Sequence, residues 1–171
     1  GAAADRQRLR LADLIHEVVA MFEGSTGRGR LDTSGVERDL PSVWVDRVQV
    51  RQAFVNLLLN AMEALDGRPG NIHVRLREVE RSAEQLSELR IDASEGPGRF
   101  LELEVDDGGC GMAPDTLGKI FDPFFSTKFQ GRGLGLATVL GIVRGHAGAI
   151  GVESTPGKGT RFSLLFPLAR S

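Results

Sequence analysis

Three polar side chains interrupt an otherwise apolar segment, QAFVNLLLNAMEAL (52–65), at Asn56, Asn60 and Glu63. At about 100° per residue a helix places them within roughly 60° of one another, and Gln52 extends the same line. Asparagine is a poor helix former, whereas amide oxygens beside a carboxylate suit Mg²⁺ that is shared with phosphate oxygens. Taken alone, the stripe fits a solvated helix face as well as a metal and phosphate site, and it indicates the latter only together with the other segments. The opposite arc, expected to face a sheet, is apolar: Phe54, Leu57, Leu58, Ala61 and Leu65.

A second candidate is a carboxylate at the end of a predicted strand. The alternating segment LELEV (101–105) runs into Asp106 and Asp107, and Gly109 and Gly111 follow. Glycines at this spacing let a loop pass close to a flat ligand, and an aspartate can accept a hydrogen bond from an exocyclic amine such as that of adenine. The alternative is a glycine-rich turn with a solvated acid pair. No dinucleotide or Walker phosphate-loop motif occurs.

A third candidate follows the aromatic segment KIFDPFFSTK (119–128), which in isolation would be core or an interaction patch. The sequence GRGLGL (131–136) then opens a predicted helix, and amides at a helix start can bind an anion. Lys128 lies just upstream and could add a cation.

Periodicity predicts the elements that must position these groups. Residues 24–35 read as a polar connection and residues 79–99 as a long excursion between strands. The expected fold is an α/β sandwich, a mixed sheet with one face covered by about three helices. The predicted helices are 9–23, 46–65, a short one at 115–119, and 134–146; the extended segments are 36–45, 72–77, 101–106, 149–153 and 160–167.

Composition excludes several classes of protein. A formal net charge of −2 gives no general attraction to nucleic acid or anionic membranes. No stretch approaches the roughly 18 apolar residues of a membrane-spanning helix, and no signal peptide opens the chain. Cys110 is the only cysteine, so neither an internal disulfide nor a cysteine-based zinc cluster is expected, in keeping with a cytoplasmic domain. Trp44 reads as a core residue near the sheet.

Taken in order, these segments resemble the catalytic, ATP-binding domain of bacterial sensor histidine kinases, in the superfamily shared with gyrase, mismatch-repair ATPases and a heat-shock chaperone. NLLLNAMEA (56–64) resembles the asparagine box and DGGCG (107–111) the D-x-G-x-G box. IFDPFFSTK (120–128) resembles the phenylalanine box, and GRGLGLA (131–137) the second glycine box. The resemblance covers residues 9–168, including a closing helix, turn and strands at 141–167.

The resemblance implies a fold of the Bergerat type with a flexible lid over ATP, and it implies roles for single residues. Asp107 would contact the adenine amino group, Asn60 would coordinate Mg²⁺, and Asn56 and Glu63 would support the metal and phosphates. Lys128 would contact the phosphates. The implied catalytic set is Asn56, Asn60, Glu63 and Lys128. The implied nucleotide-contacting set is Asn56, Asn60, Asp107, Gly109, Gly111, Met112, Lys128, Gly131, Gly133, Leu134, Gly135, Leu136 and Thr160.

Two departures from the family pattern bear on function. ATP-hydrolysing relatives place a glutamate base four residues before the metal-binding asparagine, where this chain has Asn56, which favours a kinase that delivers phosphate to a partner. His16-Glu17 superficially resembles the phosphoacceptor motif, but 18–20 (VVA) follow in place of the N/T-P-L stretch. His16 is therefore not expected to be the acceptor. His73 and His146 have no motif context and read as surface or packing residues.

The expected function is to bind ATP with Mg²⁺ and to donate the γ-phosphate to a histidine on a separate helical hairpin domain of a two-component kinase. Alternatives are an anti-sigma-like serine/threonine kinase of the same superfamily, a regulatory nucleotide-binding module without catalysis, and an independent ATPase. A response regulator is the expected downstream partner, the isolated domain is expected to be monomeric and the full-length kinase homodimeric, and membrane anchoring is left open. Residues 1–8 read as a linker or expression remnant, 9–168 as the catalytic domain and 169–171 as a tail.

Overall fold

The computed structural model describes residues 5–23, 29–65, 70–93, 95–122 and 135–168. Within these ranges, no helix has the length and apolarity needed to cross a membrane. The helices are α1 Leu11–Glu23, α2 Arg47–Leu65, α3 Ala83–Ser87, α4 Pro114–Leu117 and α5 Gly135–Gly145. The strands are β1 Arg6–Leu9, β2 Gly29–Val36, β3 Val43–Asp46, β4 Gly70–Arg81, β5 Gly98–Asp107, β6 Ala149–Thr155 and β7 Gly159–Pro167.

The main sheet has five strands in the order β2-β4-β5-β7-β6. Strand β2 runs parallel to β4, and the other neighbours are antiparallel. Helices α1, α2 and α5 share one hydrophobic core with the inward-facing residues of the sheet. This mixed sheet with helices on one face confirms the predicted α/β architecture.

Helix α2 forms where the hydrophobic pattern predicts it. The Asp46 carboxylate accepts a hydrogen bond from the backbone N–H of Gln49 at 3.1 Å, which satisfies a donor at the start of the helix. The predicted apolar arc is buried against the sheet, whereas Gln52 on the polar side is exposed. The helix is therefore oriented by burial of its apolar face, and its polar stripe points away from the core.

Two segments predicted without regular structure belong to sheets. Strand β2 begins within the predicted polar connection 24–35 and pairs with β4, and its Leu31 and Val36 are buried. Strand β1 lies partly in the predicted linker 1–8 and pairs with β3. Both strands depend on hydrogen bonds from partners distant in sequence, which local periodicity does not report.

The prediction that Trp44 is a core residue is wrong. Trp44 is 52 % exposed, whereas its neighbours Val43 and Val45 are buried. Successive side chains of a strand point to opposite faces, and the small β1–β3 sheet covers the core with one face only. Trp44 occupies the outer face and lines a cavity of about 760 Å³ together with Arg6 and Arg8.

The predicted excursion 79–99 has a defined structure. Strand β4 continues through Arg81, and Ser82 and Gln85 then form a capping box that starts α3. Ile91 pairs with Ile150 at the edge of β6. The segment packs on the face of the sheet opposite the main helices, where it closes a second small core of Val79, Leu86, Ala93, Phe100, Ala149 and Leu165.

The rest of that outer face carries paired charges. Arg75 lies 3.4 Å from Glu104 and 3.3 Å from Asp106. The Glu102 carboxylate lies 3.0 Å from the Arg77 guanidinium and 3.2 Å from that of Arg81. These pairs leave this part of the outer face polar.

Candidate functional site

The polar stripe of α2 faces the start of α5. The Asn56 side-chain amide donates a hydrogen bond to the Gly135 carbonyl oxygen at 3.2 Å. Asn60, one turn further on, has a buried Nδ2 atom with no hydrogen-bond partner among the described residues. A buried polar atom without a partner is costly, and such atoms are rare in native proteins. On a solvated helix face this amide would be hydrogen-bonded to water. A buried Nδ2 atom without a partner instead favours a site for a ligand.

Asp107 ends β5 on the helix-covered face, because strand alternation places it on the same side as buried Val105. The residue is 5 % exposed, and its carboxylate accepts hydrogen bonds from the backbone N–H groups of Gly109, at 2.9 Å, and Thr160. Burial raises the pKa of Asp107 above its usual value, although these two hydrogen bonds oppose the shift. An ionised carboxylate has about four lone-pair sites, so acceptor capacity remains for a ligand.

The glycine loop is held against the end of α2 on one side. The Cys110 N–H donates to the Ala64 carbonyl oxygen at 3.1 Å. A Cβ atom on Gly109 would lie 2.5 Å from that same oxygen, closer than any side chain tolerates. Gly109 is thus required by the packing of the loop on the helix.

The β6–β7 hairpin holds the other side of the loop. The Gly157 N–H donates to the Cys110 carbonyl oxygen at 2.7 Å. Gly111 has a φ of +67°, and a Cβ atom there would lie 2.0 Å from the Thr155 carbonyl oxygen. Glycine is needed at this position for both reasons. In the structure, these two glycines let the loop pass close to the protein's own backbone, at Ala64 and Thr155.

Ser154 contributes to this arrangement and was not identified from the sequence. Its hydroxyl accepts from the Met112 N–H at 2.8 Å, donates to the Gly159 carbonyl oxygen at 3.2 Å, and lies 2.7 Å from the Thr160 hydroxyl. Met112 and Thr160, two of the predicted nucleotide contacts, are thereby joined through one side chain. No spacing rule singles out a serine in a hairpin strand, so the sequence offered no signal for it.

These contacts bring Asp107, Gly109, Gly111, Met112 and Thr160 together at the C-terminal end of α2. Asn56, Asn60 and Glu63 lie on α2 itself, and the first of them contacts Gly135 at the start of α5 beside Leu136. From residue 56 to residue 64 the helix advances about 12 Å. The candidate site therefore has two ends: a buried carboxylate with a glycine loop, and an amide stripe beside the start of a helix. Lys128, Gly131, Gly133 and Leu134, with the predicted lid, lie outside the described residues.

The donors at this site bear on the metal and nucleotide that the sequence suggests. The described residues hold no group of three or more His, Cys, Asp or Glu side chains that could bind a metal by themselves. Mg²⁺ is typically held by one or two protein oxygens together with substrate phosphates and waters. The Asn60 amide, which offers an oxygen to a cation and an unpaired N–H to a phosphate oxygen, fits that mode of binding.

The cavity of about 760 Å³ lies elsewhere, at the β1–β3 sheet, and none of the predicted site residues lines it. We assign the site by the donor chemistry at Asp107 and Asn60, because a cavity's size does not identify its ligand.

The histidines do not join this cleft. The Asp46 N–H donates to His146 Nε2 at 3.0 Å, and His146 Nδ1 lies 2.8 Å from the Ile142 carbonyl oxygen. His146 is therefore a neutral packing residue. His73 lies on the outer face of the sheet, 2.8 Å from an Asp32 carboxylate oxygen. His16 Nε2 is buried, without a partner among the described residues.

Comparison with known proteins gives the same family. The family described as histidine kinase-, DNA gyrase B-, and HSP90-like ATPase matches residues 45–170. The signal transduction histidine-protein kinase AtoS of Escherichia coli (strain K12) is 32 % identical over 163 residues, which are 95 % of this chain and 24 % of AtoS. The chain thus spans about a quarter of the length of that relative.

Solved structures agree in fold. The catalytic domain of the histidine kinase ThkA, in a nucleotide-free form, superposes with a TM-score of 0.72 at 28 % identity and 96 % coverage of both chains. Full-length ShkA in complex with AMPPNP gives a TM-score of 0.73 at 24 % identity, covering 99 % of this chain and 32 % of ShkA, a likeness of fold alone. The chain belongs to the histidine kinase-, DNA gyrase B- and HSP90-like ATPase family, and it is a catalytic domain of the kind found in sensor histidine kinases.

Proposed function

We propose that this domain binds ATP with Mg²⁺ and donates the γ-phosphate to a histidine on a separate helical hairpin domain of the same kinase. The observation that carries the proposal is the presence of two unusual groups beside α2: the buried carboxylate of Asp107, at the end of β5, and the buried Nδ2 atom of Asn60, which has no hydrogen-bond partner among the described residues. The first is an acceptor that suits the adenine amino group, and the second belongs to an amide that suits a metal and phosphates.

In this proposal the residues bind and orient the nucleotide, and none acts as nucleophile. Asp107 accepts the hydrogen bond from the adenine amino group, and Thr160 borders the same end. Asn60 contributes its amide to the metal and phosphates, supported by Asn56 and Glu63. Bound Mg²⁺ supplies charge neutralisation for the phosphates. Lys128 and the amides at the start of α5 are proposed phosphate contacts.

Transfer to a partner, rather than to water, follows from the groups around the phosphates. The position where ATP-hydrolysing relatives place a glutamate base is Asn56, an amide that cannot take a proton from water and that donates to Gly135. His16 Nε2 is buried, which argues against His16 as the acceptor. The acceptor histidine nitrogen of the hairpin forms the new bond to phosphorus while the bond to ADP breaks, so positioning and charge neutralisation are what the domain supplies.

The downstream partner follows from that transfer. We infer that the phosphohistidine passes its phosphate to a response regulator, and that the full-length kinase is a homodimer whose pairing is made by the hairpin domain.

Replacing Asn60 tests the proposal. The Asn60→Ala variant is expected to reduce phosphate transfer from labelled ATP to a supplied hairpin domain by about 100-fold, since loss of a group that only supports a metal ligand already costs 10–100-fold. Binding of adenosine, measured by calorimetry, is expected to stay unchanged because the adenine end of the cleft is intact.

Gln52→Ala is the matched control, because Gln52 continues the same helical stripe but is exposed. It is expected to transfer phosphate at the wild-type rate. Unchanged transfer by Asn60→Ala, or an equal loss in Gln52→Ala, would contradict the role given to Asn60.

A further inference from the structure

The cavity of about 760 Å³ beside the β1–β3 sheet lies within the range of roughly 300–1,000 Å³ that is typical of ligand-binding pockets. Its lining includes Phe100, near the start of β5, and Pro167, which pairs with Phe100 from β7. From residue 100 to residue 107 a strand advances about 23 Å. The cavity is therefore separate from the candidate nucleotide site, where Asp107 ends β5.

Part of the lining is apolar. Val45 and Phe100 are each 2 % exposed, whereas the Trp44 side chain beside them is 52 % exposed. Burial of a tryptophan against a partner contributes more than burial of most other side chains, and tryptophan is enriched at the centres of binding surfaces. This part of the cavity suits an apolar side chain of a ligand.

The rest of the lining is mainly basic. Arg8 lies directly opposite Trp44 in the β1–β3 register, so the two side chains share a face of the small sheet. The Arg8 guanidinium has no hydrogen-bond or ion-pair partner among the described residues. Arg99 is paired with Glu78, and Glu95 is the only acidic residue among the described residues that line the cavity.

Arg6 adds a second cation on the same face as Arg8, because residues two apart in a strand point the same way. Its guanidinium donates to the Gly145 carbonyl oxygen, which is a neutral group. Its cross-strand partner, Asp46, uses its carboxylate to accept the N–H groups of Asp5 and Gln49. The charge of Arg6 is therefore not neutralised by an ion pair with a described residue.

We propose that this cavity binds an acidic peptide segment of a partner protein, with an apolar side chain against Trp44 and carboxylates at Arg6 and Arg8. Guanidinium groups pair with carboxylates through two parallel hydrogen bonds. The chain as a whole has a net charge of −2, so this excess of basic groups is a local feature. An inorganic anion would leave the apolar part of the lining unused, and an apolar peptide would leave the guanidinium groups unpaired. The inference is independent of the proposed function.

Fluorescence provides a direct test, because Trp44 is the only tryptophan of the chain. The probe is a blocked synthetic peptide in which four glutamates flank one leucine. The emission of Trp44 is expected to change saturably with this peptide, with a Kd of about 1 mM or below. The same peptide with lysines in place of the glutamates should give no change. Binding of the glutamate peptide should weaken at about 0.5 M salt, which screens exposed charges.

Arg8→Ala is expected to weaken binding of the glutamate peptide about fivefold, the upper end of the range for an exposed ion pair. Lys158→Ala is the matched control, because Lys158 is exposed in the turn before β7, at the end of the sheet opposite Pro167. It removes the same charge away from the cavity and should bind the peptide as wild type does. An unchanged midpoint of urea unfolding in Arg8→Ala would show that the loss is not a loss of folding. Should that variant fail to fold, the comparison of the two peptides on the wild-type chain still decides the question.

Four results would overturn the proposal. These are no saturable change up to about 5 mM peptide, equal binding of the glutamate and lysine peptides, an equal loss of affinity in Arg8→Ala and Lys158→Ala, and the same emission change with inorganic phosphate alone, which would indicate a simple anion site. A change in Trp44 emission on dilution of the protein alone would also overturn it, because a second copy of the chain would then occupy the cavity.

Discussion

The Asp107→Asn variant separates nucleotide recognition from folding. The carboxylate is 5 % exposed and accepts backbone N–H bonds from Gly109 and Thr160. In the variant the side chain can accept these bonds only through its one amide oxygen, because the NH₂ group is a donor. An adenine amino group would then meet a neutral side chain that has one acceptor fewer.

The magnitude follows from the charge on the acceptor. A hydrogen bond to a charged group contributes about 1.5–3 kcal/mol, which corresponds to a loss of about 10- to 150-fold in affinity for ADP. Stability is expected to change by no more than about 1 kcal/mol, because relief of the buried charge opposes the loss of one N–H acceptor. A large loss of binding with a nearly unchanged free energy of unfolding is the expected pattern.

The same carboxylate predicts a pH dependence. Because burial raises the pKa of Asp107 in the folded protein, the ionised form costs stability at neutral pH, and that cost disappears as pH falls through the raised pKa. Protonation also removes the negative charge and part of the acceptor capacity that would face the adenine amino group. ADP affinity is therefore expected to fall as pH decreases through the raised pKa in wild type but not in Asp107→Asn.

Calorimetric titration with ADP, together with urea unfolding, measures both quantities. Asp106→Asn is the control, because Asp106 is adjacent in sequence but lies on the outer face of the sheet, 3.3 Å from Arg75. It should bind ADP within about twofold of wild type, as expected for a polar substitution away from a site. Wild-type affinity in Asp107→Asn, or an equal loss in Asp106→Asn, would refute the assignment of the adenine pocket.

Two predictions concern the packing that supports the site. Gly111→Ala should lower the free energy of unfolding, measured in urea, by about 2–4 kcal/mol, because φ is +67° and the new Cβ would overlap the Thr155 oxygen. The control is Gly108→Ala, whose Cβ would meet nothing within 4 Å and which should cost less than about 1 kcal/mol. Equal losses in the two variants would contradict the packing argument. Burial lowers the pKa of His146, with a nearby carboxylate opposing the shift, so stability should be constant above the ordinary value of 6.5 and fall as pH drops below it. In His146→Gln, whose amide oxygen can still accept the Asp46 N–H, this loss of stability should be absent, and an unchanged pH profile would show that another group is responsible.

Local patterns were sufficient to locate the elements that carry the candidate site. Helix α2 and strand β5 each bury one face, so helical and alternating periodicity predicted them to within a few residues. The same periodicities placed Asn56 and Asn60 on one face of the helix and put Asp107 on the core side of its strand. The fold class followed from the order of these elements.

Elements that depend on distant partners could not be read in this way. Strand β2 is polar and glycine-bearing, and it exists because β4 supplies parallel hydrogen bonds. Trp44 is exposed although tryptophan is usually well buried, because no layer formed by the described residues covers the outer face of its two-stranded sheet. Arg90, which precedes β5 in the sequence, donates hydrogen bonds to the carbonyl oxygens of Leu117 and Gly118, which follow β5. No sequence spacing relates these two segments.

By itself, the sequence determined which polar groups share a face, since the geometry of a single helix or strand is local. It did not determine which of them are buried. Gln52 and Asn60 lie on one predicted stripe, yet Gln52 is exposed while the Asn60 amide nitrogen is buried without a partner among the described residues. Burial depends on neighbours brought close by the whole fold, and only the tertiary structure decided that.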